Sequence, residues 1–271
     1  MIDPRRAALA LADIRLVGNS IRHNPSVVVH LPGTTVFIRP GENAPFPSSS
    51  ASRTFVYDTT AGDLAMILDQ ARRAYDGAGV AHWFPHIGPG ARPDEVERLM
   101  RSLGARRWPH VRYPVMARRT GNVKPVQTSL EVRRVGAPEI EAHLADIGPL
   151  FDSPDGPRTF LNAASHPAFA HVLAFEPGLP DKPRRAVATG MLTVCGDAGW
   201  LGAGITHPDF RRRGGQSALI AERLRIAQER GCEFCVSETS TRDETSLRNL
   251  QRAGFALAFE WQVFEVGSAP A

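Results

Sequence analysis

The chain has 271 residues, a formal net charge of +4 and a hydrophobic fraction of 42%, which is typical of a globular protein long enough to bury a core. No block of like charge resembles a nucleic-acid arm, and no apolar run reaches the ~20 residues that a membrane span needs. Three cysteines form no closed disulfide set, which favours a reducing compartment, and we expect a cytoplasmic location.

The first half begins with an expected helix, AALALADI, in which Asp13 and the missing cleavage site argue against a signal peptide. The predicted strands that follow are SVVVH and TTVFIR, paired as a hairpin, then TFVYD, VAHWFPHI and WPHVRYPVMAR. The prolines of the last strand predict a place at the sheet edge. The predicted helices are AGDLAMILDQARRAYDGAG and PDEVERLMRSLGA, the second beginning at Pro93. We expect an irregular loop at residues 40–52, PGENAPFPSSSAS.

A polar segment with Gly and Pro, residues 118–128, predicts a linker, so we divide the chain into residues 1–120, a linker at 121–128, and residues 129–271. Strand and helix patterns alternate after it, which predicts an α/β fold with a mixed sheet. The predicted strands are LEVRRV, AHVLAFE, AVATGMLTVCG, WLGAGIT, CEFCVSE and FALAFEWQVFEV. The predicted helices are PEIEAHLADIGPLF, QSALIAERLRIAQER and TSLRNLQRAG. We expect the second of these helices to end at Gly231 and to keep its charges on the outer face.

The two halves share an order of elements. EVERLMRSLGARRW and TSLRNLQRAGFALA each read as a helix, a glycine and a final strand, and the strands before them, VAHWFPHI and CEFCVSE, also correspond. Because helix, glycine and strand is a common order, a shared fold and a coincidence both stay open. The first half has no equivalent of RRRGG, so a first half of the same fold is expected to be degenerate and without cofactor binding.

The segment ITHPDFRRRGGQSALIAERL carries the clearest chemistry. A strand ends, Pro208 breaks its pairing, and a basic, glycine-rich turn opens a helix. Helix-initial N–H groups lack internal partners and carry the positive end of the helix dipole, so they bind phosphate well, and Arg211, Arg212 and Arg213 add charge. Neither GxxxxGK[ST] nor GxGxxG is present. The segment predicts a site for a phosphate-bearing ligand, with a solvated basic turn as the alternative.

The run HPDFRRRGGQSALI resembles the acyl-CoA pyrophosphate loop of the GNAT N-acyltransferase superfamily, in which a strand is followed by His/Pro-Asp/Glu-aromatic-Arg-x-x-Gly-x-Gly/Ala and a helix. Arg211, Gly214 and the position of Gln216 fill that pattern, and the resemblance covers about residues 130–266. It implies a GNAT-like fold with a splayed mixed sheet, acetyl-CoA as cosubstrate and no metal. The cofactor-binding residues that it implies are Ile205, Thr206, Arg211, Arg212, Arg213, Gly214, Gly215, Gln216, Ser217 and Asn249.

Two positions depart from the family pattern. Gln216 stands where the family usually has Gly or Ala, although its N–H still serves a phosphate. Leu250 stands where many members carry a tyrosine that protonates the departing thiolate. The three tyrosines, Tyr57, Tyr75 and Tyr113, all lie in the first half. The proton must therefore come from that half, from another group or from water.

The resemblance implies an N-acyltransferase, with N-acetyl transfer expected, in which a primary amine attacks the thioester directly. Because such an amine has an unperturbed pKa of ~10.4, a base must remove its proton. Glu238 is the candidate base, with a structural carboxylate bonded by the next helix as its alternative. His207 is a second candidate, with a residue of the turn as its alternative. A backbone N–H near Thr206 is the expected oxyanion donor, and Ser246 is a candidate donor to the thiolate.

Two other functions stay open: a non-catalytic acyl-CoA-binding or regulatory module, which the absent tyrosine favours, and a nucleotide-binding protein of another class. The expected partner is a small-molecule or peptide amine, with no nucleic acid or membrane, and the protein is expected to be a monomer or homodimer. His82 and His86 could line the acceptor side, with a core strand as the alternative, and Pro85 argues against a helical metal pair. Cys232 and Cys235 lie in an apolar run, which favours core thiols over zinc.

Overall fold

The computed structural model describes residues 1–22, 25–40, 51–60, 62–108, 112–151, 156–178, 184–241 and 243–267. The helices of these ranges are α1 (Pro4–Ser20), α2 (Leu64–Gly77), α3 (Pro93–Ser102), α4 (Ala137–Ala142), α5 (Leu144–Ile147), α6 (Gly156–Ala163), α7 (Gly215–Glu229) and α8 (Glu244–Arg252). The first strands are β1 (Val27–Leu31), β2 (Thr34–Ile38), β3 (Arg53–Val56), β4 (Phe84–Ile87), β5 (Arg106–Arg107) and β6 (Tyr113–Arg119). The later strands are β7 (Glu131–Val135), β8 (Phe169–Phe175), β9 (Ala186–Cys195), β10 (Ala198–Thr206), β11 (Phe234–Glu238) and β12 (Ala256–Glu265).

The predicted α/β fold is confirmed, and the elements follow the predicted order. Pro4 and Pro93 stand in the first turns of α1 and α3, where proline loses no helical hydrogen bond. The stretch expected as one helix after β7 is divided into α4, α5 and a short 3₁₀ turn, Gly148–Leu150. Most of the expected loop at 40–52 lies outside the described residues. No described helix combines the length and apolarity that crossing a membrane requires.

One mixed sheet joins the whole chain. Its strand order is β1-β2-β3-β4-β12-β6-β11-β10-β9-β8-β7, with β5 paired to β12. Two neighbouring pairs are parallel, β3 with β4 and β10 with β11. A helix, α2 or α7, connects each parallel pair, and a further helix and a final strand follow each pair. The second half therefore repeats the architecture of the first, and the shared fold that the sequence echo suggested is confirmed.

The final strands of the two halves are exchanged. β12 pairs with β4 of the first half, β6 pairs with β11 of the second, and β6 and β12 pair with each other. β6 is thus an internal strand, and its predicted edge position is wrong. Pro114 accepts a hydrogen bond from Thr239 N through its carbonyl, which points to the β11 side. The N–H that proline lacks would point to the same side, just beyond Val115–Glu238, the last pair between β6 and β11. Pro114 is therefore tolerated because no hydrogen bond between paired residues is lost. The boundary between the halves stays a prediction; residues 121–128 carry no helix or strand.

Helix α1 lies inside the curve of this sheet. Its apolar side packs in one cluster with Phe37 and Phe55 from β2 and β3 and with Ala198 from β10. β2 and β10 are six places apart in the sheet, roughly 29 Å if it were flat, whereas a helix is only about 10–12 Å wide. The sheet must therefore curl around α1. The helices α7 and α8 pack on the opposite face, over a second cluster that includes Leu192 and Leu201.

Candidate functional site

β10 and β11 are parallel neighbours that separate part-way along their length. They pair only between Ala198–Trp200 and Phe234–Val236, although β10 continues to Thr206 and β11 to Glu238. A bulge interrupts β10 between Gly202 and Ile205, and bulges bend the strand that carries them. The two strands therefore open a V-shaped gap at their carboxyl ends, as the resemblance implies.

The backbone of Thr206 faces this gap. The N–H of the next residue, His207, donates to Val187 O on the β9 side at 2.9 Å. Because successive backbone N–H groups of a strand point to opposite edges, the Thr206 N–H points to the β11 side. The Thr206 hydroxyl accepts a hydrogen bond from Gln216 Nε2 of α7 at 2.9 Å. A backbone N–H, that of Thr206, therefore faces the gap.

Arg223 is a structural member of the site that the sequence reasoning missed. It is buried, and its guanidinium donates to Leu219 O at 3.0 Å, to Gly202 O at 3.0 Å and to Met191 O at 3.3 Å. Burial lowers its pKa to about 10, so it stays charged at neutral pH. The expectation that every charge of α7 lies outward is wrong here, because the bulge leaves carbonyls that need a donor. Arg223 stands four residues before the buried Ala227, and this helical spacing indicates that Arg223 lies on the buried face of α7.

The N-terminus of α7 has no side-chain cap. The N-cap is Gly214, in the left-handed region at φ 79°, and as a glycine it has no side chain that could bond to the helix amides. The first helical bond runs from Ala218 N to Gly214 O at 3.0 Å, so the amides of Gly215, Gln216 and Ser217 lie before it. The preceding residues Arg211, Arg212 and Arg213 are exposed. An uncapped helix start that directly follows three arginines in the sequence is an arrangement that favours binding of an anion.

The corresponding helix of the first half is closed to anions. α2 also follows a parallel strand, but its N-cap is Asp63, whose carboxylate accepts hydrogen bonds from Ala65 N at 2.8 Å and Met66 N at 3.3 Å. A carboxylate in that place satisfies the amides and repels a phosphate. Of the two equivalent helix starts, α7 alone therefore suits an anionic ligand.

The predicted linker holds the loop before α7 in place. Thr128 Oγ1 donates to Arg213 O at 2.7 Å and accepts from Leu130 N at 3.1 Å. A side-chain carbon on Gly214 would lie 2.5 Å from Gln127 O. A glycine is required here on two grounds, its positive φ and this close approach of backbone.

Glu238 ends β11, and its side chain is 20% exposed. Its Oε1 accepts hydrogen bonds from Arg15 Nη2 at 2.5 Å and from Trp261 Nε1 at 2.8 Å. The hydrogen bonds described for this carboxylate thus come from α1 and β12, not from α8 as its structural alternative supposed. Glu238 also lines a cavity of about 180 Å³ between the C-terminal end of α1 and the curled sheet.

The remaining predicted residues lie on α8. The Asp243 carboxylate accepts from Ser246 N at 2.9 Å, which caps the helix, and Asn249 Oδ1 accepts from Arg252 Nη2 at 2.5 Å. Ser246 and Asn249 are half-buried. Leu250 is buried in the cluster between α7 and α8, so the position of the family tyrosine is occupied by a packing residue.

The three tyrosines occupy different surroundings. Tyr57 is buried, and burial raises its pKa. Tyr75 is also buried, with its hydroxyl 3.0 Å from Thr54 Oγ1, and burial likewise raises its pKa. Tyr113 is half-buried at the start of β6. Protonation of a thiolate by Tyr57 or Tyr75 is disfavoured by their burial.

His82, His86, Cys232 and Cys235 are buried in the core. His207, the second candidate base, is half-buried in the turn after β10, where its Nδ1 accepts a hydrogen bond from Asp209 N at 3.3 Å. His82 Nε2 lies 2.8 Å from Glu265 Oε1, and His86 Nδ1 donates to a backbone carbonyl of its own strand at 3.0 Å. Burial raises the pKa of Cys232, and that of Cys235 to about 12, so both thiols stay neutral. Within the described ranges, no group of three or more His, Cys, Asp or Glu is arranged to hold a metal.

Neither a protein-family model nor a curated protein matches the sequence. Solved structures do resemble it. A GCN5-related N-acetyltransferase from Kribbella flavida is 18% identical, with 98% of this chain and 96% of that chain covered and a TM-score of 0.67. Another from Sphaerobacter thermophilus is 18% identical, with 88% and 78% covered and a TM-score of 0.62. A tandem GNAT protein from the clavulanic acid biosynthesis pathway is 13% identical, with 98% and 94% covered and a TM-score of 0.65. The chain thus has a GNAT-type fold with two GNAT-like halves.

Proposed function

We propose that the second half binds acetyl-CoA and transfers its acetyl group to a primary amine, and that the first half contributes walls of the acceptor site. The observation that carries this proposal is the uncapped start of α7 beside the gap between β10 and β11. The helix start would bind the anionic part of the ligand, and the gap offers a slot with a backbone donor. The two features are adjacent because β10 leads directly into the loop before α7.

The pyrophosphate of the cosubstrate is assigned to the loop before α7. The amides of Gly215, Gln216 and Ser217 would donate to its oxygens, with the helix dipole adding favourable charge. Arg211 and Arg212 would supply charge-assisted hydrogen bonds at the mouth. The residues present fit such a group, because Gly214 leaves the amides open where Asp63 closes them in α2.

The thioester is assigned to the gap. As the amine attacks, negative charge develops on the thioester oxygen, and a fixed donor aimed at that oxygen lowers the barrier. The Thr206 N–H is the candidate donor, since it points toward β11. The bonds of Arg223 to the bulge and of Gln216 to the Thr206 hydroxyl hold this stretch of β10 rigid.

Glu238 is the proposed base. It stands at the end of β11 beside the gap and lines the cavity under α1, so an amine entering that cavity would meet its carboxylate. The hydrogen bonds from Arg15 and Trp261 both go to Oε1, and they orient the carboxylate so that Oε2 can take the proton directly or through a water.

The thiolate leaves with the pKa of a free thiol, ~8.5, and needs only weak acid assistance. With Leu250 buried and Tyr57 and Tyr75 held in the core, solvent or the Ser246 hydroxyl is the proposed proton source. We therefore expect the transfer rate to depend little on any single acid.

The test is a calorimetric titration with acetyl-CoA, followed by an amine screen read by release of the CoA thiol. We expect micromolar binding that ATP does not displace, and transfer to at least one amine. Glu238→Gln should leave the acetyl-CoA dissociation constant unchanged and lower kcat by about 10²–10⁴-fold, the usual range for a general base. Glu229→Gln, on the exposed end of α7, is the control.

Three results would refute the proposal in different ways. Absence of acetyl-CoA binding by folded protein would remove the cofactor assignment. Displacement by ATP at equal concentration would favour the nucleotide-binding class. Tight binding without transfer to any amine would favour the non-catalytic module.

A further inference from the structure

Helix α1 carries a glycine on the face that it turns toward the cavity beside Glu238. Leu11, Ile14, Arg15 and Gly18 recur at helical spacing, and all four line that cavity. A Cβ added to Gly18 would meet no atom of the described residues within 4 Å. Because glycine is unfavourable inside a helix, we look for what its missing side chain provides, and the structure shows open space at this point of the cavity.

The wall that faces α1 is formed by three neighbouring strands. Phe169 of β8, Thr193 of β9 and Trp200 of β10 stand side by side in register, and all three line the cavity. The Trp200 ring lies over Gly202, where any side chain would collide with it. The indole therefore extends along β10 toward the gap between β10 and β11, and an aromatic surface leads to the proposed transfer site.

The three arginines that also line the cavity are engaged with the protein itself. The Arg15 guanidinium donates to Glu238, and its Cζ lies 3.8 Å from the centroid of the Phe55 ring. Arg22 and Arg53 each interact with other residues of the protein as well. The surface that the cavity offers to a ligand is mainly apolar, with the Glu238 carboxylate in its wall.

We infer that the acceptor is a small primary amine with a flat apolar ring, and that Gly18 provides the space for this ring. The amine meets Glu238, and the ring lies between Gly18 and Trp200. Gly18 is three residues beyond Arg15, which holds Glu238, and thus roughly 4.5 Å further along α1, a distance that a short carbon chain between amine and ring spans. The cavity of about 180 Å³ is smaller than the ~300–1,000 Å³ of pockets for drug-sized ligands, which suits a molecule with a single ring. This inference rests on the proposed function, because it describes the acceptor of the same transfer.

The experiment compares phenethylamine with ethylamine, which lacks the ring, and with glucosamine, whose ring is polar. Thiol release gives kcat/KM for each amine, and calorimetry with acetyl-CoA present gives each dissociation constant. We expect phenethylamine to be favoured over both other amines by about 10- to 100-fold, the usual effect of burying an aromatic ring.

Gly18→Leu fills the open space beside α1. It should lower kcat/KM for phenethylamine at least ~10-fold, because the new side chain competes with the ring for the same volume, while kcat/KM for ethylamine and the acetyl-CoA dissociation constant stay unchanged. Leucine favours a helix, so the variant is expected to fold, and Gly18→Ala should act in the same direction to a smaller extent. Gly77→Leu is the matched control, since Gly77 ends α2, is exposed and has equally open surroundings; it should change none of these values.

Equal kcat/KM for phenethylamine and ethylamine, or a preference for glucosamine, would overturn the inference and leave the transferase proposal intact. Binding of acetyl-CoA with no binding of any of the three amines would also overturn it. If Gly18→Leu and Gly18→Ala both keep the preference of the parent protein for phenethylamine, the ring does not lie beside Gly18. Failure of acetyl-CoA itself to bind would overturn both proposals, and that titration is done first.

Discussion

Gly214→Ala is the sharpest test of the cofactor loop. Residue 214 has φ 79°, a backbone conformation that costs roughly 1–2 kcal/mol for a residue with a side chain. The added Cβ would also lie 2.5 Å from Gln127 O. The backbone strain lowers the free energy of unfolding. Because Thr128 ties the linker to Arg213 O, we expect the clash to displace Gly214 and the amides of α7 that follow it, and acetyl-CoA affinity to fall at least ~10-fold, equivalent to about 1.4 kcal/mol.

Gly231→Ala is the matched control. Gly231 follows the other end of the same helix at φ 80°, and a Cβ there would meet nothing within 4 Å. The control carries the same backbone strain without the clash and far from the loop. Urea unfolding measures the stability of both variants, and calorimetry measures acetyl-CoA binding. If both variants lose similar stability and Gly214→Ala binds acetyl-CoA as tightly as the parent protein, the loop is not the cofactor site.

Three further predictions concern stability and loop order. Arg223→Ala leaves Gly202 O without its donor and should lower the free energy of unfolding, measured in urea, by about 3 kcal/mol. Arg225→Ala, on the exposed face of α7, should lower it by less than ~1 kcal/mol, and equal losses in the two variants would contradict the role given to Arg223. Burial lowers the pKa of His171 to about 4, so on acidification the unfolded chain binds a proton before the folded protein does. The free energy of unfolding should therefore fall by up to about 3 kcal/mol between pH ~6.5 and pH 4. In His171→Gln the free energy of unfolding should depend less on pH over that range, and an unchanged dependence would contradict this prediction. Thr128→Val removes the bond to Arg213 O and should weaken acetyl-CoA binding by about two- to tenfold; an unchanged dissociation constant would show that the linker does not order the loop.

The elements and the glycine-rich turn that opens α7 could be predicted because their signals are local. Apolar periodicity marks α2 and α7, and the Gly-rich turn before α7 marks its own start. Side-chain capping is equally local: Asp63 before α2 indicates, in addition to the missing RRRGG, that the amides at this helix start are already satisfied.

What could not be predicted depends on distant pairing. The internal position of β6 requires contacts with β11 and β12, more than 100 residues later in the chain. The surroundings of Glu238 depend on Arg15, 223 residues earlier. The burial of Arg223 depends on a bulge in β10 that periodicity does not encode. Each of these features arises from contacts between segments that are far apart in the sequence, which no local pattern specifies.

The exchange of β6 and β12 has a consequence for synthesis on the ribosome. When residues 1–120 have emerged, β4 can pair with β3 but still lacks its other partner, β12, which ends at residue 265. The first half therefore keeps an open strand edge at β4 until residues 256–265 have been made, and open edges invite pairing with other chains. A nascent chain stalled before β12 should be a substrate for chaperones. If the folded protein is cut within residues 121–128, the two fragments should stay associated, because β6 and β12 pair across the halves.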